Sequence, residues 1–283
     1  MSYLSKMGEG KPRRLNFLRD LTLVAAPLIS ALVIARIVFS GQTTQGFSGD
    51  TGLGSFDFVT PGLISALVIF SLFYSLRRRG EQVARLVITG IAIAGTLSGL
   101  LLLKIWFDAS IMVPALFYVS AAPLGYLGLY LSVRNYLGLL SERKTSLLLS
   151  GSASFLGALV GFLFPPLFTI FFLFALSLLD IMMVESDALR RTVGYRRFES
   201  IVSITTVPLE KQIVGIGDLL AYSMLTVASL RSGNLYVAGA TIILILIGAL
   251  ITSKAAKSRL RMPGLPIPVF LGAVPYLLGL LVL

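Results

Sequence analysis

Runs of about 20 mostly apolar residues recur from Leu21 to the C-terminus, and no other feature restricts the fold so tightly. A helix of that length crosses the hydrocarbon of a bilayer while satisfying its own backbone N–H and C=O groups. Nine such segments are readable, at 21–40, 59–76, 86–107, 111–133, 146–164, 166–184, 213–230, 235–252 and 263–283. Only 13% of the 283 residues are charged, against about a quarter in a soluble domain. The expected fold is an all-α polytopic membrane protein with nine transmembrane helices. No polar stretch exceeds roughly 30 residues, too short for a separate soluble domain. The expected division is a basic tail at 1–20, a six-helix bundle at 21–184, a connector at 185–212 and a three-helix bundle at 213–283.

The formal charge of +11 is better explained by membrane topology than by nucleic-acid binding. With the N-terminus in the cytosol, 21 of the 24 Lys and Arg fall on cytosolic pieces, namely the tail and the connectors at 77–85, 134–144, 190–211 and 254–261. The C-terminus then lies outside, the tail reads as an uncleaved signal-anchor, and the cell membrane is the expected location. The chain has neither Cys nor His. Thiol chemistry, His-ligated zinc and any Ser–His pair are therefore excluded, and neither a metal nor a cofactor is expected. Carboxylates, Lys, Tyr, Ser and Thr remain for chemistry.

Of the 13 acidic residues, only Asp180 and Asp218 lie within apolar segments. A carboxylate in lipid costs about 3 kcal/mol or more, which points to a functional role. Asp180 is four residues before the end of the sixth segment, and Asp218 is five residues past the start of the seventh. At 1.5 Å per residue both lie roughly 6–8 Å below the same boundary, so two sequential antiparallel helices can bring them together. Two adjacent carboxylates titrate as a coupled pair holding one proton between them. In peptide hydrolysis the ionised member takes a proton from water while the protonated member polarises the carbonyl. Gly215 and Gly217 loosen the helix start beside Asp218. The plainer reading is that Asp218 caps the seventh segment and Asp180 bonds a neighbouring helix.

Gly215-Ile-Gly217-Asp218, followed by Tyr222-Ser223, resembles the GxGD motif of the presenilin and signal peptide peptidase family. Pro263-Gly264-Leu265-Pro266 resembles that family's Pro-Ala-Leu-Pro motif, and Leu179-Asp180 stands where the family has Tyr-Asp. The order of motifs along nine segments covers nearly the whole chain. The resemblance implies a presenilin-like fold and an intramembrane aspartyl endopeptidase with Asp180 and Asp218 as its catalytic pair. It also implies that Gly215, Gly217, Tyr222 and Pro263 to Pro266 shape the site and receive substrate. Its partners would be transmembrane proteins or peptides in a lipid bilayer, with no nucleic acid; an oligomer is compatible with the sequence. Two positions depart from the family pattern: Leu179 lacks the tyrosine hydroxyl, and Gly264 replaces alanine, which reads as a small change.

Three rivals stay open. A prepilin-type GxGD peptidase would have fewer segments and no last proline motif. A proton-coupled transporter or channel would use the two acids as a relay, although no second half matches the first. A pseudo-protease would only bind membrane helices. The β-branched run Ile201 to Val207 suggests a strand that pairs with an unwound substrate, or else a connector resting on headgroups. Small-residue spacings such as Gly95 to Gly99 and Gly151 to Gly161 indicate close helix packing.

Overall fold

The computed structural model describes positions 25, 26, 28–33, 36, 56–109, 114–185, 206–208, 213–232, 235–256 and 263–282. The tail at 1–20, most of the connector at 185–212 and positions 201–205 of the expected strand lie outside the described residues. The described positions between 25 and 36 are helical. They are followed by α1 (Phe56–Ala109), α2 (Pro114–Tyr136), α3 (Glu142–Leu163) and α4 (Pro166–Glu185). Two short strands, β1 (Thr206–Pro208) and β2 (Ile213–Gly215), lead into α5 (Ile216–Ser232), α6 (Leu235–Ala256) and α7 (Pro266–Val282).

Among the described residues, four helical stretches are long and apolar enough to cross a membrane: Gln82–Asp108, Leu116–Tyr136, Arg143–Leu163 and Leu235–Ala255. The chain is an integral membrane protein. Phe168–Met182 and Pro266–Leu278 are shorter apolar helices, so the described residues do not establish nine crossings.

Two sequence expectations change. The basic connector at 77–85 is no loop, because α1 runs unbroken for 54 residues through it. Arg, Gln, Glu and Leu are good helix formers, and one glycine without a proline does not end a helix. The seventh segment does not begin as a helix either. Ile213–Gly215 is a strand, and the helix starts at Ile216. The fold is helical as expected, with one small sheet beside the helices: β1 and β2 pair antiparallel, with Thr206 opposite Gly215, Val207 opposite Val214 and Pro208 opposite Ile213.

α5 is the hub. Ten consecutive residues, 221–230, are buried, so helices surround it on every side. Its apolar residues Leu219, Met224, Leu225 and Val227 are almost fully covered. Its hydroxyls return to the helix's own backbone: Ser223 donates to the Leu219 carbonyl at 2.9 Å, Thr226 to Tyr222 at 2.9 Å and Ser229 to Leu225 at 2.8 Å. Thr241 on α6 donates to the Ser229 hydroxyl at 3.1 Å, tying α6 to the hub.

In lipid there is no hydrophobic force between apolar helices, so close backbone approach at small residues must hold them. Gly157 and Gly161 on α3 supply it. A Cβ on Gly157 would collide with the Leu220 carbonyl, and one on Gly161 would stand 2.6 Å from that of Met224. α3 and α5 thus run parallel in tight contact. Arg231, at the end of α5, donates to the Phe162 and Phe164 carbonyls at 2.7 and 3.0 Å, satisfying the end of α3. Gly95 against Ser152 brings α1 and α3 together, and Gly128 against Thr96 brings α2 to α1. Phe174 of α4 stacks on Phe270 of α7 at 4.9 Å.

Candidate active site

Asp180 lies in the last turns of α4, which ends at Glu185. Asp218 lies in the first turn of α5. Both are half-buried. Between them passes the irregular stretch Pro263 to Leu265, where the chain bends before Pro266 opens α7. Proline suits a first helical position because the N–H it lacks would have no helical partner there. The Leu265 carbonyl then receives the Val269 N–H at 3.1 Å, which starts the helical ladder.

The Gly264–Leu265 peptide is where the site comes together. The Leu265 N–H donates to Asp180 Oδ2 at 3.1 Å. On the other side, Gly264 faces the second carboxylate: a Cβ there would stand 2.6 Å from Asp218 Oδ2 and 3.2 Å from its Cγ. The Gly264 carbonyl receives the Tyr222 hydroxyl at 3.2 Å. Tyr222 is one turn beyond Asp218 on α5 and is 3% exposed, so its ring is fixed by packing and its hydroxyl reaches the bend.

Asp218 also turns back on its own helix start. The Gly215 N–H donates to Asp218 Oδ2 at 3.3 Å, as an acid three residues inside a helix commonly receives the N–H of its cap. The capping contact of Asp218 is thus present, and it coexists with the approach of its carboxylate to Gly264. Gly215 is confined by the same oxygen, since a Cβ on it would stand 3.0 Å from Asp218 Oδ2.

No protein-family model matches the chain, and no curated protein matches it. Solved structures resemble the chain, among them one described as a presenilin family intramembrane aspartate protease. The TM-score is 0.59 at 17% sequence identity, and the match covers 94% of this chain and 99% of that one. The chain has the presenilin-family fold.

Of the residues singled out from sequence, Asp180, Asp218, Gly215, Tyr222, Gly264 and Leu265 are brought together. Gly217 stands apart: it is exposed, and a Cβ there would meet nothing within 4 Å. Pro263 and Pro266 flank the bend, half-buried and buried respectively. Leu179 is 43% exposed, and Asp180 receives its hydrogen bond from the Leu265 backbone rather than from a neighbouring side chain. Gly157 and Gly161 take no part in the chemistry, yet they set where α5 and its acid stand. Their four-residue spacing was the available signal, but it did not name the partner helix.

Proposed function

We propose that this protein is an intramembrane aspartyl endopeptidase that hydrolyses peptide bonds within or near transmembrane helices of membrane proteins. The observation that carries the reading is the convergence of Asp180 and Asp218 on the single peptide Gly264–Leu265. The presenilin-family fold supports it.

In this reading one proton is shared by the two acids. The ionised carboxylate takes a proton from water as the water oxygen bonds to the scissile carbonyl carbon. The protonated carboxyl donates to the carbonyl oxygen, giving a tetrahedral diol. The diol collapses as the C–N bond breaks, and the amine leaves with a proton returned from the dyad. The Leu265 N–H orients Asp180, and the Tyr222 hydroxyl holds the bend that carries that N–H. Gly215 and Pro263 to Pro266 shape the place where substrate backbone meets the acids. The small β1–β2 sheet runs directly into the turn bearing Asp218, and its outer edges suit the addition of an extended substrate strand. In this reading the basic ends at Arg134, Arg143 and Lys254 face the cytosol across the cell membrane, as the charge bias favours.

The test is cleavage of a single-span reporter by purified protein in vesicles, beside Asp180→Asn and Asp218→Asn. Cleavage by the wild type that is lost in both folded variants supports the reading. Cleavage that survives both changes sinks it. A folded wild type that never cleaves, but passes protons in an Asp218-dependent way, would favour the transporter reading.

A further inference from the structure

Away from the two acids, α1, α2 and α3 line a half-open apolar cleft of about 490 Å³. Its walls include Leu100 and Trp106 of α1, Leu127 and Leu131 of α2, and Leu148 and Phe155 of α3. Two hydroxyl-bearing residues, Thr96 and Ser152, also line it. Both hydroxyls are already spent on the Ala92 carbonyl, at 2.9 and 3.3 Å. The cavity therefore offers an occupant no polar side-chain group in need of a partner, and only an apolar one suits it.

Its dimensions narrow the occupant. From Thr96 to Trp106 the α1 wall rises about 15 Å at 1.5 Å per residue, roughly half of the ~30 Å hydrocarbon thickness. One hydrocarbon chain is narrow enough, and one leaflet supplies chains of about that reach. The end of the cavity at Trp106 is also where α1 turns polar. Lys104 and Asp108 are exposed there, and tryptophan favours the boundary between hydrocarbon and headgroups. A lipid seated with its tail inward would thus have its headgroup at the polar end.

We propose that the α1–α2–α3 cavity is a binding site for one acyl chain of a membrane phospholipid, held as a bound lipid rather than as part of the surrounding belt. The wall helix α3 also clasps α5 through Gly157 and Gly161, so the site adjoins the framework that carries Asp218 without touching the acids.

The experiment uses the full chain in phosphatidylcholine vesicles doped with phosphatidylcholine bearing a photoactivatable diazirine midway along one acyl chain. Crosslinks are mapped by peptide mass spectrometry and need no proteolytic activity of the protein. Labelling at Leu100, Leu127 and Phe155 is compared with labelling at Tyr118 and Val119, which are 69% and 72% exposed on α2. The expected ratio is about tenfold, equivalent to about 1.4 kcal/mol of preference over belt lipid. Gly151 lines the cavity and a Cβ on it meets nothing within 4 Å, so Gly151→Phe grows into the space. In that variant the cavity labelling should fall to the level of Tyr118 and Val119. A wild-type ratio near one, or labelling undiminished by Gly151→Phe, overturns the proposal. Gly151→Leu serves if the larger residue prevents folding, and the wild-type ratio decides alone if neither variant folds.

Discussion

Replacing Gly264 by alanine tests the proposed geometry most directly. The new methyl would stand 2.6 Å from Asp218 Oδ2, whereas ordinary contact begins at 3.4 Å, so the carboxylate oxygen must retreat by about 0.8 Å. That oxygen is the end of a side chain and can swing, so the fold should bear the change at little cost in stability. The same oxygen receives the Gly215 N–H at 3.3 Å, and its displacement disturbs that bond too. Misplacing a reacting group by about 1 Å can cost about a hundredfold in rate. A ten- to hundredfold fall in kcat is expected, or about 1.4–2.7 kcal/mol of lost transition-state stabilisation. KM and the thermal unfolding midpoint should stay near the wild-type values. The assay is steady-state cleavage of a single-span reporter in vesicles, with melting followed by circular dichroism. Gly217→Ala is the comparison, because its methyl meets nothing within 4 Å and adds no push on the carboxylate. Unchanged kcat in Gly264→Ala, or an equal loss in Gly217→Ala, would refute the placement of Asp218 against the bend.

Tyr222→Phe keeps the buried ring and removes only the 3.2 Å bond to the Gly264 carbonyl. A net hydrogen bond of about 0.5–1.5 kcal/mol predicts a two- to tenfold fall in kcat, with a far smaller effect on melting than Tyr222→Ala. Gly161→Leu sets a side chain against the Met224 carbonyl and should separate α3 from α5, giving protein that melts early or fails to accumulate in the membrane. Arg231→Leu leaves the Phe162 and Phe164 carbonyls without their guanidinium partner, and denaturation should show a loss of about 1–3 kcal/mol. The cleavage rate should fall on both the acid and the alkaline side of an optimum, since a dyad works with one proton and stalls with two or none. A pH-independent rate would argue against a shared proton.

How far the sequence could be read depended on how local each signal was. Segment positions were legible because twenty apolar residues in a row describe themselves, and α2, α3, α4 and α6 lie within a few residues of the readings. Arg77 to Arg79 misled because charge was read as a break in the chain, whereas only Gly and Pro chemistry breaks a helix. Ile213-Val214 misled because a short apolar run has no period that separates strand from helix start. Asp180 and Asp218 stood out because an acid in an apolar run is costly wherever the run folds. The peptide between them did not stand out. The contact of Leu265 N–H with Asp180 joins residues 85 positions apart, and it exists only because α4 packs along α7. That long-range fact changes the weight of one residue. From sequence Gly264 was a small departure from a family pattern. In the folded chain its missing methyl leaves room for the Asp218 carboxylate beside the bend that also holds Asp180.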